Sequence, residues 1–151
     1  MPEELDDGVT ERAYLCGRLL AVYEGLQETV YYSANESKVN VSVADRYYSL
    51  ASISPQVAFP KIVNLGKKHL AKLGRERAGL RYVIEGDLAR LCDLIKDPEG
   101  GEFPGNFGIV DQGRFALGYY HQRAADFKRR RTKSAPENAS TDAEPEQLQE
   151  D

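Results

Sequence analysis

Between Ala13 and Gln27 two apolar stripes run side by side at helical spacing. Leu15, Leu19, Val22 and Leu26 make one, and Ala13, Cys16, Leu20 and Tyr23 make the other. A surface helix needs only one such stripe against the core, so a face this wide implies a central helix touched by several neighbours. A free helix of this kind would leave both stripes in water, so the rest of the chain must supply partners around it. Gly17 lies between the stripes and predicts a close crossing by another backbone. Thr10 can cap this helix, which should run to about residue 32.

The remaining punctuation supplies those partners as helices. Ser33 to Ser42 is polar and loop-like, and the alternating Val39 and Val41 are too short a run for an independent sheet. Ser42-Val-Ala-Asp45 has the outline of a capping box with Asp in place of Glu, opening a short helix to about Ile53. Ser54-Pro55 is an N-cap followed by proline at the first helical position, and the third helix should end near Gly74. Pro60 is expected to disturb its first turns. A fourth helix is expected over 77–96, with Leu80, Ile84, Leu88, Leu91 and Ile95 inward, ended by Asp97-Pro98.

After a turn-rich connector, a fifth helix is expected over 109–131. Leu117, Tyr120, Ala124 and Phe127 form its apolar stripe, and Arg114, His121 and Lys128 lie on another face. Gly113 and Gly118 each weaken an isolated helix by about 1 kcal/mol, which suggests that another backbone comes close there. The expected organisation is all-α. Residues 1–9 form a flexible acidic N-terminus, 10–131 a compact bundle of five helices, and 132–151 a disordered acidic tail with almost nothing to bury. The N-terminus lacks a signal-peptide pattern and no apolar run is long enough to span a bilayer, so a cytoplasmic location without membrane contact is expected.

Charge is where the sequence points outward. The tail carries one base against six acids, net −5 out of a total of −4, which leaves the preceding 131 residues at +1. Within that near-neutral body the bases cluster. Lys61 to Arg81 holds Lys61, Lys67, Lys68, Lys72, Arg75, Arg77 and Arg81 against Glu76 alone, a net +6. On a helix, Lys61, Lys68, Lys72 and Arg75 fall within about 60° of one another, a ridge about 21 Å long. Exposed helices ordinarily interleave acids with bases, so a ridge short of acids suits a phosphate backbone. Lys128, Arg129, Arg130 and Arg131 make a second cluster, more than the C-terminal dipole of a helix requires.

Other constellations read more simply as structure. Cys16 and Cys92 are expected as buried reduced thiols, and two distant cysteines with two distant histidines do not make a zinc site. Tyr31-Tyr32, Tyr47-Tyr48 and Tyr119-Tyr120 could stack bases, but neighbours on a helix diverge by about 100°, so one of each pair should fill the core and the other its wet edge. His69 and His121 have no carboxylate or nucleophile at helical spacing. Glu24 with Glu28, and Glu85 with Asp87, are expected as solvated faces. Neither a catalytic residue, a cofactor nor a metal site is expected.

Three ordered stretches carry a resemblance: 13–27, Asp45-Arg-Tyr-Tyr-Ser-Leu-Ala-Ser-Ile-Ser-Pro-Gln-Val-Ala-Phe-Pro60, and Gly113-Arg-Phe-Ala-Leu-Gly-Tyr-Tyr-His-Gln-Arg123. Their order and separation resemble the C-terminal portion of the large subunit of type I-C CRISPR Cascade, an RNA-guided DNA surveillance complex. The family protein is much longer and this chain starts with Met, so the resemblance implies a separately made small subunit from an internal start. It further implies a non-catalytic helical protein, present in more than one copy beside the backbone subunits that carry the CRISPR RNA, the large subunit being a further partner. There it would help hold unwound target DNA, above all the displaced strand. Sequence reading would belong to guide pairing. A structural adaptor gripping acidic patches on neighbouring subunits, or an unrelated helical regulator with a basic groove, would display the same cations.

Overall fold

The computed structural model describes residues 4–33, 41–96 and 103–134. They form five α-helices: α1 (Arg12–Ser33), α2 (Val43–Ile53), α3 (Pro55–Glu76), α4 (Ala78–Ile95) and α5 (Ile109–Ser134). The fold is all-α, as the spacing predicts. Most of the 33–42 loop, the start of the glycine-rich connector and the tail after Ser134 lie outside the described residues. No helix among the described residues is long and apolar enough to cross a membrane.

Both stripes of α1 are buried, and α1 packs against each of the other four helices. Around it α2 packs on α5 and α3, and α3 packs on α4. The most extensive of these contacts is with α5, and its geometry follows from two glycines. A Cβ on Gly17 would collide with the Phe115 carbonyl oxygen, and a Cβ on Gly118 with the carbonyl of Tyr14. The two backbones therefore touch at a reciprocal crossing that only glycine permits. Gly113, by contrast, faces open space.

That crossing sets the phase of α5 differently from its apolar stripe. Phe115, Gly118, Tyr119, His121 and Gln122 turn inward, while Tyr120 is 62% and Phe127 47% exposed and Leu117 is half-buried. Phe115 and Tyr119 receive Tyr48 of α2 edge-on, with ring centroids 5.3 and 5.2 Å apart. His121 accepts or donates at Nδ1 to the Tyr14 hydroxyl, 2.9 Å away. Gln122 accepts from Nε of the buried Arg18 at 2.9 Å.

The carboxylates of α1 are also structural, and not the solvated pair expected. Glu24 is buried and accepts the Ala44 N–H at 2.8 Å, and Gln27 accepts the Val43 N–H at the same distance. Ser42 Oγ takes the Asp45 N–H at 3.0 Å while Asp45 reaches back to Ser42, so the capping box is complete. The first three donors of α2 are thus all satisfied, and one of the acceptors is a carboxylate at the positive end of the helix dipole. Glu28 instead holds Arg123 of α5 in a two-pronged pair at 2.9 and 2.8 Å. Glu24→Ala is expected to cost about 1–2 kcal/mol, because the Ala44 N–H loses its partner in the interior. Chemical denaturation measures this, and Glu24→Gln, which keeps an acceptor, should recover most of the loss.

Cys16 is fully buried and Cys92 half-buried. Burial pushes the Cys16 thiol up to about 12 and Cys92 in the same direction. Since the thiolate is the reactive form, native protein at neutral pH should leave Cys16 unlabelled by iodoacetamide, whereas protein unfolded in guanidinium labels at both cysteines. Equal native and unfolded rates at Cys16 would contradict its burial.

Candidate nucleic-acid interface

α3 is held at its N-terminus by the connector, not by the Ser54 side chain. Ser54 sits at the N-cap without capping; its hydroxyl bonds Asn106 Oδ1 at 2.6 Å, and the Pro104 carbonyl accepts the Gln56 N–H at 2.9 Å. Pro60 lies inside the helix, where it removes the bond to the Gln56 carbonyl, yet α3 continues to Glu76, past the expected stop at Gly74. Its inner side is Ala58, Phe59, Ile62, Gly66 and Leu73. Gly66 lies flat against the Tyr23 ring of α1, with no room for a Cβ.

This inner side directs the cations outward. Lys61, Lys67, Lys68, Lys72 and Arg75 are all exposed, and Arg77, at the single-residue junction between α3 and α4, is exposed too. An unbroken helix keeps Lys61, Lys68, Lys72 and Arg75 on the common arc of about 60° that the spacing predicts, with Lys67 about 100° away from Lys68 on the same outward side. Among the described residues, Lys61, Lys67, Lys68 and Arg75 have no carboxylate within ion-pair distance. Lys72 leans towards α1, with Nζ 5.8 Å from the centre of the Tyr31 ring. Such a contact contributes about 0.5–1 kcal/mol at an exposed site and places the ammonium at the α1–α3 seam. His69 meets the same ring edge-on at 6.3 Å, and burial together with Lys72 lowers its pKa. Its imidazole is thereby disfavoured as an additional cation.

Arg81 leaves this surface. It is half-buried, its side chain packs over Gly74, and Nε pairs with Glu85 at 3.2 Å. The second cluster divides as well. Lys128 and Arg129 are exposed, but Arg129 is bound to Asp126 at 2.7 Å. The side chains of Arg130 and Arg131 lie outside the described residues. Arg129 also lines two adjoining clefts, of about 230 and 210 Å³, floored by α1 and walled by α4 and α5. α5 itself packs chiefly on α1 and to a smaller extent on α2.

Of the tyrosine pairs, Tyr119-Tyr120 divides as the geometry predicts, with Tyr119 buried and Tyr120 exposed; Tyr47 and Tyr48 are both half-buried instead, Tyr31 is covered by Lys72 and His69, and the Tyr32 side chain lies outside the described residues. An unpaired tyrosine that the sequence reading passed over is the most open aromatic among the described residues: Tyr82 of α4 is 80% exposed. Among the described residues no three His, Cys, Asp or Glu side chains converge as a metal set.

Residues 1–127 match a family described as CRISPR-associated protein (Cas_Csd1). No curated protein matches the chain significantly.

Proposed function

The chain belongs to the CRISPR-associated Cas_Csd1 family, and from that premise we propose that it is a small subunit of a type I-C Cascade particle, equivalent to the C-terminal portion of the large subunit. In this reading it performs no reaction. It packs beside the guide-carrying backbone subunits in the cytoplasm, and Lys61, Lys67, Lys68, Lys72, Arg75 and Arg77 grip phosphates of unwound target DNA, the displaced strand in particular. Lys128, Arg129, Arg130 and Arg131 support that grip from α5. One observation carries the proposal: α3 presents four cations on one outward arc, three of them with no carboxylate in reach among the described residues. A polyanionic strand would satisfy that arc and stabilise the open form of the duplex.

A second reading, the purely structural adaptor, draws on different side chains. Ile109 and Val110 at the start of α5 are 84% and 66% exposed, and Val57 in the first turn of α3 is 51% exposed. Apolar side chains in water at the bundle's end suit protein contact better than phosphate contact. The two readings separate on co-expression of the chain with the other Cascade subunits and CRISPR RNA. Under the proposal, a Lys68→Glu, Lys72→Glu, Arg75→Glu triple variant enters the particle at normal stoichiometry and the particle loses double-stranded target. If the variant fails to enter the particle, or enters it and the particle keeps its double-stranded target, the adaptor reading takes its place.

A further inference from the structure

Shortly after the ridge the chain carries a side chain of a different kind. Arg77 closes α3 and opens α4, and Tyr82 follows it by five residues, about 7.5 Å of helical rise. Between them Arg81 folds back over Gly74, tying the first turns of α4 to the last turns of α3. The inner side of α4 is Leu88, Leu91 and Ile95, with Leu80 and Ile84 packed on the core. Tyr82 lies about 160° from the middle of that side, so its ring projects straight out from the bundle. Among the described residues it makes no hydrogen bond and no ring contact, and it is 80% exposed. This exposed aromatic without a partner follows the last cation of the ridge by only five residues.

We propose that Tyr82 is a stacking platform for an unpaired nucleobase, and that the α3 ridge with Tyr82 at its end is a binding site for single-stranded nucleic acid. The inference rests on the phosphate-gripping reading of the ridge and adds to it a contact with the bases of the strand. Cations alone accept duplex and single strand alike, whereas a ring can stack only on a base that has left its partner. Neither Tyr31, whose ring is taken by Lys72 and His69, nor Tyr119, which is buried, can do this. The Tyr82 hydroxyl is not required, because stacking uses the face of the ring.

The test is fluorescence anisotropy of the full chain with a labelled oligothymidine and with the same sugar–phosphate strand lacking all bases. Tyr82→Ala is expected to weaken oligothymidine binding about fivefold to a hundredfold. It should leave binding to the abasic strand unchanged, and Tyr82→Phe should bind both as the native chain does. Oligothymidine binding that is unaffected by Tyr82→Ala, yet lost in the Lys68→Glu, Lys72→Glu, Arg75→Glu variant, would overturn the stacking site and keep the ridge. Binding unaffected by the triple variant, or an unaltered chain that binds neither strand, would overturn both.

Discussion

Replacing Gly118 with alanine is expected to cost about 3 kcal/mol, the upper end for an overpacked interior, and to lower the thermal midpoint by roughly 10 °C. The single added methyl has nowhere to go. It would meet the Tyr14 carbonyl of α1, and the atoms in its way are backbone, not the flexible end of a side chain. The same holds for Gly17 against the Phe115 carbonyl, so Gly17→Ala should be similarly damaging. Because the two glycines serve one crossing, the double variant should fall short of the sum, since helices pushed apart by one methyl already make room for the other. Gly86 and Gly113 are internal controls. Both lie in helices with nothing near the missing Cβ, so alanine there should raise stability by up to about 1 kcal/mol. Circular-dichroism melts of the five variants measure this, and a Gly118→Ala protein as stable as Gly113→Ala would refute the reciprocal crossing.

Reversing Lys68, Lys72 and Arg75 together is expected to reduce target affinity of the assembled particle at least about a hundredfold. Each cation near a phosphate is worth about 1 kcal/mol even in water, and glutamate adds repulsion where attraction was. The more specific signature is in salt. Three lost phosphate contacts should make the slope of log affinity against log salt shallower by about 2 to 3. Reversal of Arg81 should do less to binding, because its guanidinium is engaged with Glu85 and lies over Gly74. Stability should be little affected by the triple change. These side chains are exposed, and the contact of Lys72 with the Tyr31 ring is a weak one.

The parts of this molecule that could be read from its sequence are those encoded by a local period. α1 was legible because both of its stripes consist of side chains that cannot remain in water. The start of α2 was legible because Ser42 and Asp45 cap within three residues of each other. The ridge was legible because a solvent-facing arc needs only the helical repeat to assemble it. What stayed hidden depends on residues distant in the chain. The inward face of α5 centres on Gly118, which has no side chain to contribute to an apolar stripe, so the stripe selects Tyr120 and Phe127, which stand in water. Glu24 and Gln27 resemble ordinary exposed polar residues until α2 is placed against them, and their partners are 20 and 16 residues away. Arg81 counts as one more base in the sequence, and only the packing of α4 on α3 shows that it is spoken for.

The central claim, that the outer arc of α3 lies against nucleic acid inside a guide-carrying particle, is tested most directly at Asn64, an exposed position between Lys61 and Lys68. A benzophenone amino acid placed there and irradiated in the target-loaded particle should form its main crosslink to the displaced DNA strand. A crosslink confined to neighbouring protein subunits, with no nucleic acid attached, would contradict it.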